Sequence, residues 1–190
     1  YQDISNQGGG INKTVNSTRK ASKKELESIG HRNLSQSSNY GTTTIEAKSG
    51  YGLSVDSEIK ILQATAALDG INHNVLPTWL GAHDFPKDKK PSEYMDELIH
   101  EQLPLVAENN LAKWIDVFCE PGWFNLEQTE TLVKNAKSFG LKSRLHVDEF
   151  VDSGGLSLAA ELESCSADHV GFSNSDSRDK ANKSGTMQVF

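Results

Sequence analysis

Hydrophobic and polar positions along the chain switch repeatedly between the two-residue period of a strand and the helical period of about 3.6 residues. Short β-branched or apolar runs predict strands at 42–47, 75–80, 114–119, 144–150, 166–170 and 186–190. Serine caps and helical spacing predict helices between them, beginning at Ser54 and Ser92 and covering 126–139, 156–162 and 175–184. Strands and helices that alternate in this way predict an α/β fold with a parallel sheet.

The first 20 residues are polar and are predicted to form a flexible loop. They include Gly8, Gly9 and Gly10 in succession, which would let the backbone turn sharply or approach another group closely. Neither phosphate-binding glycine pattern is present there, so we do not expect a phosphate site. Ser22 and Glu25 form a capping-box pattern, which predicts that a helix begins after the loop.

Three histidines fall at the C-terminal ends of predicted strands. They are His83, His146 and His169, and Glu149 follows His146 closely in the sequence. In a barrel of alternating strands and helices, catalytic groups lie at this end. Imidazole is a ligand for zinc or iron, and a nearby carboxylate can deprotonate a water that such a metal holds. The alternative is a histidine that only bonds its neighbours, and the stretch 144–150 taken alone favours it.

Several other polar residues are predicted to have structural roles. Asp148 should be a structural partner, because side chains alternate along a strand and its own would point away from Glu149. Asp168 is expected to form local hydrogen bonds, and Cys119 to be a buried, inert thiol. The remaining histidines are predicted to be solvated surface groups: His31, His73 and His100.

Composition and charge exclude some function classes. Nineteen basic residues against 26 acidic ones give a formal charge of −7, which does not favour nucleic acid or an anionic membrane as a partner. No apolar run approaches the ~20 residues of a membrane span. The two cysteines form no CxxC pair, so we expect a reduced, cytoplasmic setting. The chain begins without methionine, which suggests that it belongs to something longer.

The motifs along the chain resemble one family closely: imidazolonepropionase, in the metal-dependent amidohydrolase superfamily. The segments that carry the resemblance run in family order over nearly the whole chain, and the succession of Lys-Ser-Gly-Tyr-Gly-Leu, Gly-Ala-His and Asp-Val-Phe-Cys-Glu is highly specific. The matching segments are 8–11 with Thr18 and Arg19, 41–44, 48–53, 80–83, 116–120, 146–149 and 166–169.

The resemblance implies a (β/α)8 barrel of the TIM type, of which this chain would supply about strands two to seven as a single partial domain, residues 1–190. It implies hydrolysis of the cyclic amide of 4-imidazolone-5-propanoate to N-formimidoyl-L-glutamate, in histidine degradation. It further implies a divalent metal, zinc or iron, and a small-molecule substrate, and it allows for a homodimer.

Site roles follow from the resemblance residue by residue. His146 matches the metal ligand on the fifth barrel strand, and Glu149 matches the carboxylate that contacts substrate and helps to activate the water. His169 matches the histidine near that water. Tyr51 and His83 match substrate-binding groups, and so does Tyr1, which matches a tyrosine near the substrate.

The resemblance also implies that part of the site lies outside this sequence. The family has a His-x-His metal pair and a substrate arginine upstream, and a metal-binding aspartate downstream. Catalytic metals usually have three or more protein ligands, so the chain alone is expected to be inactive. Two alternatives remain: another metal-dependent amidohydrolase, such as a deaminase or a different cyclic amidase, or a non-catalytic truncated barrel.

Overall fold

A parallel sheet of six strands organises the chain in the computed structural model, which describes residues 11–70 and 73–190. The strands lie in the order of the sequence, each pairing in parallel with the next. Their bounds are β1 Thr44–Lys48, β2 Asn74–Ala82, β3 Trp114–Cys119, β4 Lys142–Val147, β5 Ser166–His169 and β6 Met187–Val189. The sheet curls into a half-barrel with helices, which confirms the predicted α/β fold of an incomplete TIM-type barrel.

Helices connect successive strands and cover the outer face of the sheet. A π-helical turn, Leu98–Gln102, joins two of them just before Pro104, which has no N–H to donate and so disturbs the regular helical ladder there. The helices are α1 Ile11–Lys20, α2 Lys23–Ser38, α3 Val55–Ala66, α4 Pro91–Glu97, α5 Leu103–Glu108, α6 Leu126–Ser138, α7 Gly155–Glu161 and α8 Ser175–Ser184.

The hydrophobic core lies between the outer face of the sheet and the helices. On β4 the burial alternates, so that Leu145 and Val147 are fully buried while Arg144 and His146 on the opposite face are partly exposed. Helix α6 contributes Leu132 from its buried stripe. The concave face of the sheet is therefore left to polar residues, and the carboxyl ends of its strands open onto one rim.

The structure corrects the prediction of a loop for residues 11–20. Ile11–Lys20 is helix α1, and Val15 is buried in the main core. The guanidinium of Arg19 donates to the carbonyl oxygens of Gly52 (2.6 Å) and Leu53 (2.8 Å). These distant contacts add to the packing of a helix in which Ile11 and Val15 recur at helical spacing. The glycines at 8–10 and Tyr1 lie outside the described residues.

His73 was also predicted wrongly, because it is buried rather than solvated. Its Nε2 lies 2.9 Å from the hydroxyl of Ser38, at the end of α2, so a helix end covers the imidazole. His31 and His100 are exposed, as predicted. Among the described residues, no helix is long and apolar enough to cross a membrane.

The first prediction concerns the packing of α6 on the sheet. Replacing the fully buried Leu132 by alanine should lower the free energy of unfolding by about 2–5 kcal/mol, because the lost methyl groups leave a cavity in a close-packed core. The matched control is Leu126→Ala on the same helix, where the side chain is 40% exposed and the loss should be about 0.5 kcal/mol or less. Urea denaturation measures both, and equal losses would contradict this account of the core.

Candidate active site at the carboxyl rim of the half-barrel

Charged side chains meet on the concave face of the sheet. The ammonium of Lys48, the last residue of β1, lies 2.7 Å from Oδ2 of Asp116 on β3 and 2.9 Å from Oδ2 of Asp168 on β5. Burial opposes the charge on Lys48, but the two carboxylates outweigh it and raise the lysine pKa. One ammonium thus joins three strands. The contact between Lys48 and Asp168, 120 residues apart, also corrects the expectation that Asp168 forms only local hydrogen bonds.

A second ion pair lies nearer the N-terminal ends of the strands. Arg144 on β4 contacts Glu46 on β1 at 2.7 Å, and its guanidinium lies 4.5 Å from the centre of the Trp114 ring. Thr78 donates its hydroxyl to the other oxygen of Glu46 at 2.5 Å. The interior below the rim is therefore filled by paired charges that hold β1, β2, β3 and β4 together.

Asp116 also orients His146. Its Oδ1 lies 2.9 Å from Nδ1 of the imidazole, and the aspartate side chain is completely buried. Burial would raise the pKa of Asp116, but His146 and Lys48 together lower it to about 2. A carboxylate can only accept hydrogen bonds, so Nδ1 of His146 carries the proton. The pKa of His146 is raised, because contact with Asp116 outweighs the effect of burial.

This arrangement suits a metal at Nε2 of His146. Histidines that ligate metals usually donate the other ring N–H to a carboxylate, which fixes the ring and makes it a better ligand. Within the described residues no hydrogen bond to Nε2 is seen. Potential ligand atoms of Asp116, His146 and Asp168 lie within 4.8 Å of one another. Asp116 uses both of its oxygens, on Lys48 and on His146, and Asp168 uses one oxygen on Lys48. Nε2 of His146 is a ligand atom of this group that no hydrogen bond among the described residues occupies.

Glu149 and His169 come together beside His146. Oε2 of Glu149 lies 3.7 Å from Nε2 of His169, and the rings of His146 and His169 are 5.3 Å apart. His169 and the following Val170 both have positive φ angles, 76° and 44°, which are unfavourable for residues with a Cβ. The chain bends sharply at the end of β5, and this bend places the imidazole at the rim.

Tyr51 and His83 form the other side of the rim. Their ring centroids are 5.0 Å apart, and Phe118 lies between His83 and His146, with its centroid 6.0 Å from each. His83 contacts the carbonyl oxygen of Gly50 through Nδ1 at 3.0 Å. Burial lowers the pKa of His83, so its imidazole is neutral at neutral pH and can serve as a hydrogen-bonding group.

A buried glutamate that the sequence did not reveal holds the Tyr51 loop. Glu58 on α3 is completely buried and accepts from the backbone amides of Gly50 (2.9 Å), Gly52 (2.6 Å) and Leu53 (3.0 Å). A Cβ on Gly52 would lie 2.7 Å from the backbone of residues 57–58, so only glycine fits there. The glycines around Tyr51 therefore serve a close approach between loop and helix.

Asp148 holds the loop that follows Glu149. Its buried carboxylate accepts from both the amide and the hydroxyl of Ser153, from the amides of Gly155 and Leu156, and from the hydroxyl of Ser173. This agrees with the structural role predicted for it. Burial raises the pKa of the Cys119 thiol to about 11, which agrees with the prediction of an inert cysteine.

The structure brings together the predicted site residues that it describes. The residues that hold them in place were not predicted from the sequence. Tyr51, His83, His146, Glu149 and His169 share the carboxyl rim, at or just beyond the ends of four strands, with His146 and Glu149 both at the end of β4. A polar residue inside an apolar strand run was the available signal for Asp116, whereas Lys48 and Glu120 lie at strand ends and Glu58 lies on helix α3. The residues missed are Lys48, Glu58, Asp116 and Glu120.

The second prediction tests the Asp148 hub. Asp148→Asn puts an NH2 group where one carboxylate oxygen accepts hydrogen bonds, so buried donors lose their acceptor. The free energy of unfolding should fall by about 1–3 kcal/mol. Asp152→Asn is the control, because this neighbouring aspartate is exposed and accepts one bond from Asn174. Denaturant unfolding measures the free energy of unfolding of both variants. Equal values would show that the Asp148 carboxylate does not hold the loop.

Known proteins resemble the chain in both sequence and fold. It is 45% identical over 173 residues to an imidazolonepropionase from Alkaliphilus oremlandii, covering 90% of this chain and 41% of that protein. It is 43% identical over 193 residues to one from Thermoanaerobacter pseudethanolicus, covering 100% of this chain and 46% of that protein. No protein-family model matches the chain.

A solved structure shares the fold at low sequence identity. The 5-methylcytosine deaminase from Klebsiella pneumoniae, liganded with 5-fluorocytosine, superimposes with a TM-score of 0.67 at 12% identity, covering 90% of this chain and 44% of that one. The chain spans less than half the length of the curated relatives it matches. Over most of its own length, the chain is homologous to imidazolonepropionases.

Proposed function

We propose that this chain supplies part of the active site of an enzyme that hydrolyses the cyclic amide of 4-imidazolone-5-propanoate to N-formimidoyl-L-glutamate, in histidine degradation. The observation that carries the proposal is the rim where His146, held by Asp116, stands beside the Glu149–His169 pair. The names of the relatives supply the substrate. The 190 residues would belong to one metal-dependent hydrolase barrel. The complete enzyme would be cytoplasmic and could form a homodimer.

His146 would hold a divalent metal, zinc or iron, through Nε2. Bound there, the metal would lower the pKa of a water toward about 7 and polarise the ring carbonyl. Imidazole suits both metals, so the donor chemistry does not favour one over the other. Further ligands, as the family resemblance implies, would come from polypeptide beyond this sequence.

Glu149 would transfer the proton, and His169 would assist it. Water adds to the ring carbonyl carbon, the bond from that carbon to the ring nitrogen breaks, and the nitrogen needs a proton. Glu149 can take the proton of the water and return it to the nitrogen. His169, 3.7 Å from Glu149, can orient the water or stabilise charge that develops on the carbonyl oxygen.

Tyr51 and His83 would bind the imidazolone. Neutral His83 donates Nδ1–H to the carbonyl of Gly50, so its Nε2 can accept a hydrogen bond from a ring N–H of the imidazolone. The Tyr51 ring, set edge-on to His83 at 5.0 Å, offers an aromatic contact. Tyr1 would be a further substrate contact. The propanoate calls for a cation, and a guanidinium from outside this sequence would suit it best.

A direct assay tests the proposal. The complete protein that carries this chain, loaded with zinc or iron, should convert 4-imidazolone-5-propanoate into a product heavier by one water, identified as N-formimidoyl-L-glutamate by mass spectrometry. Ammonia release from 5-fluorocytosine, the ligand of the deaminase with the same fold, serves as the comparison. Deamination without imidazolone hydrolysis would favour a different amidohydrolase.

The third prediction separates the proton carrier from the metal ligand. Glu149→Gln should lower kcat by about 10²–10⁴-fold, because the amide keeps the shape but cannot accept the proton. Metal content should stay nearly unchanged in that variant. His146→Ala should instead lower metal content and activity together. Near-normal turnover of Glu149→Gln would remove Glu149 from the chemistry.

The fourth prediction concerns substrate binding. Tyr51→Phe should chiefly raise KM and leave kcat close to the wild-type value, if the hydroxyl binds substrate and transition state equally well. Steady-state kinetics measure the two parameters separately. A fall in kcat at constant KM would place Tyr51 in the chemical step instead.

A further inference from the structure

Glu120 is a buried carboxyl group that the proposed reaction does not use. It follows β3 directly, and its side chain is 1% exposed. One oxygen, Oε1, accepts a hydrogen bond of 2.5 Å from the backbone amide of Glu149. The regular pairing of β3 with β4 ends at Cys119 and Val147. Glu120 thus extends the link between the two strands to the residue proposed to carry the proton.

The other oxygen of Glu120 is also buried in the protein interior. Oε2 is buried and has no hydrogen-bond partner among the described residues. Burial raises the pKa of Glu120 against the opposing effect of the backbone amides of Glu149 and Phe150, and the nearby carboxylates of Asp148 and Glu149 act in the same direction as burial. Burial favours the neutral form of this acid, and in either protonation state Oε1 can accept a hydrogen bond from an amide.

The backbone on both sides of this hydrogen bond is fixed. The amide of Trp123 donates to the carbonyl of Glu120 (2.9 Å), and that of Phe124 donates to the carbonyl of Phe118 (3.3 Å), so the turn that carries Glu120 is closed. On the other strand, Asp148 has a positive φ of 52°. The chain therefore leaves β4 in an unfavourable conformation at the residue before Glu149.

We propose that Glu120 is a positioning residue for Glu149: its buried carboxyl oxygen holds the Glu149 amide where β4 ends, and so fixes the Glu149 carboxylate at the rim. This inference rests on the proposed function for its effect on rate. Its structural part, the hold on the Glu149 amide, stands on the hydrogen bond itself.

Two substitutions at Glu120 and one elsewhere test it. Glu120→Ala removes the acceptor, and kcat should fall about 10–100-fold with KM and metal content little changed, because small misplacements of a catalytic group are costly. Glu120→Gln keeps a carbonyl oxygen in the same place and should restore kcat. Glu97→Ala is the matched control: Glu97 is another buried glutamate, 6% exposed, bound to Gln102 and Lys89.

Hydrogen exchange at the Glu149 amide provides a readout that does not depend on activity. Exchange should quicken roughly 2–12-fold in Glu120→Ala, the equivalent of one lost hydrogen bond, and should stay at the wild-type rate in Glu120→Gln and Glu97→Ala. An unchanged rate in Glu120→Ala, or a glutamine variant as impaired as the alanine one, would overturn the inference. So would a loss of kcat in Glu97→Ala as large as in Glu120→Ala.

The two readouts separate this inference from the proposed function. If the wild-type protein does not hydrolyse the imidazolone, the proposed function fails, and exchange at the Glu149 amide alone decides whether Glu120 holds it. If the wild-type protein is active and Glu120→Ala keeps full kcat, the proposed function stands and the positioning role of Glu120 is rejected.

Discussion

The ammonium of Lys48 is the interaction on which the rest of the site depends. Two carboxylates, one of them fully buried, face each other inside the half-barrel, and like charges a few ångströms apart repel by about 4 kcal/mol in a protein-like medium. Lys48 contacts both, and so turns this repulsion into attraction across β1, β3 and β5. Removing one partner from such a buried group typically costs about 3–5 kcal/mol, because the other is left charged and unpaired.

The same ion group gives His146 its chemistry. Asp116 has two oxygens with separate roles, since one binds Lys48 and the other binds the imidazole. Lys48, together with His146 itself, keeps Asp116 ionised. The ionised aspartate keeps the proton on Nδ1, so Nε2 is the ring nitrogen that is available to bind a metal. A cation on the first strand of the sheet thus decides which atom of a histidine on the fourth strand can bind a metal.

The sequence predicted the order of strands and helices because that order depends on local patterns. Each strand run ends close to where the structure ends it, so the groups at strand ends could be placed on one rim in advance. Lys48 and its partners could not, because 68 and 120 residues separate it from Asp116 and Asp168. Helix α1 was missed because the first 20 residues are mostly polar; its Arg19 is anchored to a loop more than 30 residues away.

Backbone strain at the rim explains why so many buried polar groups surround it. Asp148, His169 and Val170 have positive φ angles; strain of this kind costs on the order of 1–3 kcal/mol per residue and persists only where surrounding contacts impose it. The carboxylate of Asp148 binds the loop that follows it, and Arg178 donates to the carbonyl of Val170 at 2.6 Å. Because the strained residues lie directly before Glu149 and at and after His169, the contacts that offset the strain also orient these two side chains toward each other.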